Sequence, residues 1–122
     1  SIFRVNVVAR NPAAESRETM ATGALVDTGS ELTWLPAPLL ATIGVRPRRQ
    51  RSFRTADGTL VTRATTYVFL SAEGFETADE VVMGEPGDEV LLGVRTLEGF
   101  GVAVDAIAHR FVAQATLAAS NE

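Results

Sequence analysis

Ala24-Leu25-Val26-Asp27-Thr28-Gly29-Ser30 is an apolar run followed by a carboxylate and a turn, and the predicted fold depends on it. Three apolar residues followed by Asp-Thr-Gly predict a short buried strand that enters a tight loop. The tripeptide occurs once in the 122 residues. We therefore take Asp27 as the centre of the candidate site.

A second apolar run, Val90-Leu91-Leu92-Gly93, follows 64 residues after Gly29 (93 − 29). It is short, apolar and ends in glycine, which predicts another buried strand. Leu97 and Phe100 then have helical spacing, and Gly101 is typical of a helix end. We expect a strand followed directly by one short helix.

The rest of the chain predicts many short strands. Residues 3–10 alternate apolar and polar side chains, residues 38–44 predict one or two helical turns closed by Gly44, and residues 53–70 predict a hairpin that turns at Ala56-Asp57-Gly58. Further strands are expected at 78–83, 102–105 and 110–113. Strands with turns at such intervals favour a small all-β barrel or sandwich.

Composition limits the chemistry that is open to the chain. Hydrophobic residues make up 46% and charged residues 21%, and the net charge is −4, so we expect one globular domain over 1–122 with a frayed tail at 118–122. There is no cysteine or lysine and only one histidine, His109. This excludes disulfides, thiolate or multi-histidine metal sites, Schiff bases and Walker-type phosphate loops, and we expect no metal and no cofactor.

Location and charge patterning give weaker expectations. No apolar run reaches the roughly 20 residues of a membrane helix, so we expect no membrane partner. The first residues lack the layout of a signal peptide, which processing could also have removed, and the expected location is the cytoplasm. The single His109 is expected on the surface of the last hairpin turn, and a serine triad built on it lacks a Gly-x-Ser-x-Gly motif.

Peptide hydrolysis without a metal or a covalent nucleophile needs a general base and a general acid. Two carboxylates about 3 Å apart supply both, because they share one proton. With one Asp-Thr-Gly in the chain, a two-fold homodimer would place one Asp27 against the other. Gly29 would let the loops pack closely and present an amide to the carboxylate, and a buried Thr28 would hydrogen-bond across the axis.

The order of these motifs resembles the retropepsin-type aspartic peptidases, which include retroviral proteases and small bacterial and archaeal relatives. The resemblance runs from Phe3 to about Val112 and implies a closed acid-protease barrel with one short C-terminal helix and a flap hairpin around residues 53–63. It implies that Asp27 is the catalytic aspartate of an endopeptidase that acts on a peptide or protein. It also implies supporting roles for Thr28, Gly29, Ser30, Leu91, Leu92 and Gly93, and substrate contacts from Glu31, Trp34, Ala56, Asp57 and Gly58.

Some positions depart from the family pattern. Val94 stands where retroviral members have an arginine that braces the active-site loop, and Arg95 is a possible substitute. The flap turn is Asp-Gly rather than glycine-rich, which suggests a stiffer or shorter flap. The Ser30 hydroxyl is expected to donate a hydrogen bond to the charged form of Asp27, which predicts an acidic pH optimum.

Two other functions stay open at this point. The same cleft could belong to a non-catalytic dimeric module that binds a peptide or protein. A basic stretch could contact nucleic acid, but the chain is acidic and only Phe53 offers an aromatic ring, so we favour a solvated strand face and expect no nucleic-acid partner. The arginines of this stretch, which are expected to pair with acidic residues of 73–89, are Arg46, Arg48, Arg49, Arg51 and Arg54.

Overall fold

Ten strands and two short helices make up residues 2–120, the part of the chain that the computed structural model describes. Strands dominate, as the sequence predicts. The elements in chain order are β1 Arg4–Asn11, β2 Ala14–Glu18, β3 Thr22–Val26, β4 Thr33–Pro36, α1 Ala37–Ala41, β5 Arg49–Arg54, β6 Leu60–Ala72, β7 Phe75–Gly84, β8 Leu91–Leu92, α2 Val94–Phe100, β9 Val102–Asp105 and β10 Arg110–Ala113.

The first eight strands form one sheet in the order β2-β1-β3-β8-β4-β7-β6-β5, and β9 pairs with β10 separately. Strand β1 is antiparallel to β3 along its first half and to β6 along Val8 to Arg10. Strand β8 lies between β3, to which it is parallel, and β4, to which it is antiparallel. This insertion of β8 fixes the place where β3 ends and the Asp27 loop begins.

Alternating side chains of β1 build the core. Val5, Val7 and Ala9 are buried, and they belong to one apolar cluster with Leu70 of β6 and Leu92 of β8. Full burial of a valine or leucine side chain contributes about 1.5–3 kcal/mol. The core therefore holds β8, and with it the end of β3, in the middle of the sheet.

Local turn signals correctly predict several joins. The flap hairpin turns through Gly58 (φ 86°), and Gly101 ends α2 in the left-handed conformation (φ 72°). Helix α1 is followed by Gly44 (φ 79°), as expected, so the chain has a second short helix besides the C-terminal one. The last strand pair is also confirmed.

The polar segment after the first turn is a strand that the sequence does not predict. Strand β2 pairs only with β1, and four of its five residues are exposed, so it shows no alternation. At the other end, residues 114–120 have no helix or strand, and residues 118–120 of the predicted frayed tail are exposed. The last two residues of that tail lie outside the described part of the chain.

The last hairpin packs on the start of the chain. His109 is exposed in the turn between β9 and β10, as expected, and its ring stacks on Phe3 at 5.0 Å between centroids. Phe111 of β10 also contacts Phe3. Within residues 2–120, neither helix is long and apolar enough to cross a membrane.

Candidate active site

Asp27 follows β3 directly and is half-buried. Its backbone amide donates to the Leu92 carbonyl at 3.0 Å, and its Oδ1 accepts the Gly29 amide at 2.9 Å. A Cβ at Gly29 would lie 3.2 Å from that same Oδ1, so a larger residue would crowd the carboxylate. The Asp-Thr-Gly turn therefore holds its own carboxylate through a local amide.

The strand and helix from the second motif support this loop. Leu91 and Leu92 pair with Leu25 and Val26, and Val94 at the start of α2 donates its amide to the Ser30 carbonyl at 2.8 Å. A Cβ at Gly93 would overlap the Leu32 carbonyl oxygen. The backbone of residues 91–95 thus forms the seat of the loop, and glycine at 93 permits the close approach.

Asp27 lies in a cleft of about 830 Å³. One wall is the active-site loop with Trp34 of β4, another is the flap hairpin of β5 and β6, and a third is the 87–89 turn. The residues that line it are Asp27, Gly29, Ser30, Glu31, Leu32, Trp34, Arg51, Ser52, Phe53, Arg54, Thr55, Ala56, Val61, Arg63, Gly87, Asp88, Glu89 and Leu91.

The cleft brings together most of the predicted site residues. Glu31, Trp34 and Ala56 line it together with Asp27, whereas Asp57 and Gly58 do not. The Asp57 carboxylate instead accepts the Thr59 amide and the Thr55 hydroxyl within the flap turn. Hydrogen bonds from these groups, the Thr55 hydroxyl first, lower the pKa of Asp57.

Thr28 lies outside the cleft lining and is exposed in the single chain. The expected burial of Thr28 would therefore have to come from a second molecule. The loop that carries the carboxylate thus presents two exposed residues, Thr28 and Gly29, to solvent.

An aromatic pair forms the apolar part of the cleft. The rings of Trp34 and Phe53 meet edge to face at 5.2 Å between centroids, and the Arg51 guanidinium lies 5.7 Å from the Phe53 centroid. Edge-to-face and cation–π contacts of this kind fix ring orientation. Together they form an apolar surface beside Asp27 that joins Trp34 of β4 to the flap strand β5.

Charge in the cleft is partly neutralised by ion pairs. Arg63 binds Asp88 through two nitrogens at 2.7 and 3.0 Å, and this guanidinium holds the pKa of Asp88 below its ordinary value. Arg51 pairs with Glu80 behind the cleft at 3.0 Å. Within residues 2–120, Glu31, Glu89 and Arg54 of the cleft make no ion pair, so together with Asp27 its unpaired side chains include three carboxylates and one guanidinium.

Glu80 on β7 ties the base of the flap to the sheet. This buried carboxylate accepts hydrogen bonds from Arg49 (2.9 and 2.8 Å), Arg51 (3.0 Å) and the Thr65 hydroxyl (2.6 Å). Chiefly through Arg49, these partners lower the pKa of Glu80 to about 2. The expected pairing of the basic stretch with residues 73–89 is thereby confirmed for Arg49 and Arg51.

Two expectations about the loop are wrong. The Ser30 hydroxyl donates to the Leu32 carbonyl at 2.7 Å instead of to Asp27, because the turn brings that backbone oxygen within reach. Arg95 does not brace the active-site loop with its side chain, which lies 3.7 Å from Asp79 and 3.9 Å from Glu80. Only its backbone amide reaches the loop, at the Glu31 carbonyl.

Sequence reasoning does not identify the flap-strand residues of the cleft, among them Arg51, Phe53 and Val61. Period-2 alternation on β5 could have placed Arg51 and Phe53 on one face, since they are two residues apart. No comparable pattern indicates Asp88, which joins the cleft through tertiary contact with Arg63. No group of three histidine, aspartate or glutamate side chains in residues 2–120 could hold a metal ion.

The fold and the Asp-Thr-Gly loop point to a retropepsin-like aspartic peptidase domain. The model of the family described as "gag-polyprotein putative aspartyl protease" matches residues 18–99, more than half of the chain, and includes the Asp27 loop, the flap and Leu91-Leu92-Gly93. The chain belongs to this family, in agreement with the resemblance of its motifs. A search of curated proteins found no match.

Proposed function

We propose that this protein is an aspartic endopeptidase that acts as a homodimer, with one Asp27 from each chain. The observation that carries the proposal is the placement of Asp27: a half-buried carboxylate in a peptide-sized cleft, on a loop whose backbone is held by β8 and α2. Such preorganisation is what a catalytic group requires. Family membership supports the same class of reaction.

The second carboxylate is best supplied by another copy of the chain. Asp88 lines the cleft but is bound by Arg63, Glu89 belongs to the 87–89 turn, and Glu31 is an exposed residue later in the Asp27 loop. The exposed Thr28 and Gly29 offer a surface on which a second loop could pack around a two-fold axis. We place one Asp27 against its partner there.

The reaction then uses the two carboxylates in different protonation states. The ionised Asp27 accepts a proton from water, and the resulting hydroxide attacks the peptide carbonyl carbon. The protonated Asp27 donates its proton to the leaving nitrogen as the carbon–nitrogen bond breaks. No acyl-enzyme forms, and the pair again holds one proton, which now lies on the carboxyl group that accepted it from water.

The substrate would be an extended peptide between the loop and the two flaps. Strand-like hydrogen bonds with the flap would align it, and the Trp34–Phe53 wall would receive an apolar side chain. Glu31, at the edge of the cleft, would bind the peptide backbone.

The β1–β6 pairing supports closure of the sheet into the barrel expected from the resemblance.

The direct test is Asp27→Asn. We expect it to abolish pepstatin-sensitive cleavage of a denatured protein mixture at mildly acidic pH, with an unchanged circular dichroism spectrum. Asp105→Asn is the matched control, since Asp105 lies outside the cleft lining and binds the Ile107 and Ala108 amides of its turn and the Arg110 guanidinium. Full activity of Asp27→Asn would refute the mechanism. Peptide binding without any cleavage by the wild type would instead support the non-catalytic binding module.

The remaining expectations from the sequence stay predictions. These are a single domain over 1–122, a cytoplasmic location and the absence of a nucleic-acid partner.

Gel filtration with light scattering over a range of concentrations would measure the dimer directly, and a weak dimer would make activity depend on protein concentration.

A further inference from the structure

A chain of buried hydroxyls connects the seat of the active-site loop to β7. The Gly93 amide donates to Thr33 Oγ1 at 3.0 Å, Thr33 Oγ1 lies 2.6 Å from Thr96 Oγ1, and Thr96 Oγ1 donates to Asp79 Oδ2 at 2.9 Å. Thr33 and Thr96 are both 0% exposed. The three side chains come from β4, α2 and β7, which are distant in sequence.

Only one assignment of donors and acceptors satisfies all the hydrogen bonds among these hydroxyls. A carboxylate only accepts, so the Thr96 hydroxyl donates to Asp79. The Thr33 hydroxyl must then donate to Thr96 Oγ1, which leaves a Thr33 lone pair for the Gly93 amide. Hydrogen bonds aligned in this way polarise one another in a buried setting, so the chain acts as a unit.

Both ends of this chain of hydroxyls are anchored. Asp79 Oδ1 accepts the Glu80 amide at 2.8 Å, which fixes the carboxylate to its strand. At the other end, Gly93 follows Leu92, whose carbonyl accepts the Asp27 amide. A shift of the Gly93 peptide would therefore move the group that holds the catalytic residue.

No other side chain from the start of α2 reaches the loop. Val94 is apolar and contributes only its backbone amide, and the Arg95 guanidinium is directed to Asp79 and Glu80. Within residues 2–120, the seat of the loop is therefore connected to β7 in two ways, by the hydrogen-bonded chain of hydroxyls and by the longer ion pairs of Arg95.

We infer that Asp79, Thr96 and Thr33 are positioning residues, which hold the Gly93 peptide and through it the Asp27 carboxylate in its reactive place. The inference concerns the rate of the chemical step and so rests on the proposed function. Misplacement of a reacting group by about 1 Å can slow a reaction by about 100-fold, so loss of a link in this chain should act mainly on kcat.

The test compares Thr96→Val, which keeps the shape and removes the hydroxyl, with Thr96→Ser, which keeps the hydroxyl. We expect Thr96→Val to lower kcat by about 10- to 100-fold with little change in KM, and Thr96→Ser to retain at least half of the wild-type kcat. Val68→Ala, in the core on β6, is the control for lost stability alone, with kcat close to that of the wild type.

A second measurement does not depend on activity. In Thr33→Val the Gly93 amide loses its acceptor, so its hydrogen exchange should accelerate at least about tenfold relative to the amides of β1. If the wild type shows no Asp27-dependent cleavage, the proposed function fails and this exchange measurement still tests the connection. If Thr96→Val does not fold, Thr33→Val is assayed for kcat in its place, with Thr33→Ser as its control.

Two results would overturn the inference. One is a kcat for the hydroxyl-deleted variant equal to that of Val68→Ala at matched stability. The other is unchanged exchange of the Gly93 amide in Thr33→Val.

Discussion

The active-site loop and the flap face each other across the cleft and are held in different ways. The backbone of the loop relies on partners more than 60 residues away, namely the Leu92 carbonyl, the amides at the start of α2 and the buried Thr33–Thr96 pair, whereas the Asp27 carboxylate accepts the Gly29 amide within the loop. The flap turn relies on itself, because Thr55, Asp57 and Thr59 bond one another in exposed positions. Only the base of the flap has a buried anchor, at Glu80.

The Asp27 loop and the flap turn should therefore differ in how easily their hydrogen bonds open. Buried bonds to distant elements break only when much of the fold opens, whereas exposed bonds within a hairpin can open locally. We therefore expect the backbone that carries Asp27 to be rigid, and the flap turn, which would close over a peptide, to open locally. An enzyme that must fix a reacting group and still admit substrate needs both.

The seat of the Asp27 loop is most vulnerable at Gly93. We expect Gly93→Ala to lower the free energy of unfolding by about 3–5 kcal/mol, because its Cβ would overlap the Leu32 carbonyl, a backbone group rather than the end of a flexible side chain. Gly23→Ala is the control, since a Cβ there meets only Arg4 Cδ at 3.9 Å. Urea unfolding of both variants measures this, and equal stability of the two would contradict the rigid description of the loop.

The anchor at the base of the flap should have the next largest effect. Glu80→Ala removes the partner of Arg49, Arg51 and Thr65, and we expect a loss of about 3 kcal/mol. Glu76 lies on the same strand as Glu80 and pairs with Arg10 of β1 near the surface. Glu76→Ala breaks this pair and should change stability far less. Similar losses of unfolding free energy in the two variants would show that the burial of Glu80 does not strengthen its contribution to stability.

The same anchor gives a pH dependence. The pKa of Glu80 falls from 4.5 to about 2 on folding, so its contribution is complete above pH 4.5 and is lost as the pH falls toward 2. The difference in unfolding free energy between wild type and Glu80→Gln should therefore shrink by up to about 3 kcal/mol over that range. A constant difference would contradict the ion-pair assignment.

The smallest effect is expected at the flap tip. Asp57→Ala removes the acceptor of the Thr59 amide, so exchange of the flap amides should accelerate while the melting temperature stays unchanged. Asp57→Asn keeps an acceptor oxygen and should exchange more slowly than Asp57→Ala. Faster exchange in the Asp27 loop as well would show that the two walls are coupled.

Sequence reasoning succeeds where the signal is local. The Asp57-Gly58 turn, the end of α2 at Gly101 and the strand before Asp27 follow from conformational preferences and short apolar runs. Strand β2 is not predicted, because an exposed edge strand has no buried face and hence no alternation of apolar and polar residues. Its place is set by pairing with β1 alone.

The candidate site divides in the same way. Asp27 and the Leu91-Leu92-Gly93 support can be predicted from motifs, but the partner of the Ser30 hydroxyl depends on where one carbonyl lies in the turn. The Thr33–Thr96 contact joins residues 63 positions apart, and neither residue shows a pattern that predicts it. Such contacts exist only once the sheet has assembled.

The claim that Asp27 is half of an active site is tested most directly by mixing chains. Wild-type protein at constant concentration is equilibrated with a growing excess of Asp27→Asn, and cleavage of a peptide is measured. Because a mixed dimer holds one carboxylate, activity should fall toward zero as the excess grows. Activity that stays constant under a large excess, with exchange of chains verified by light scattering or labelled subunits, would show that one chain suffices and would contradict the account.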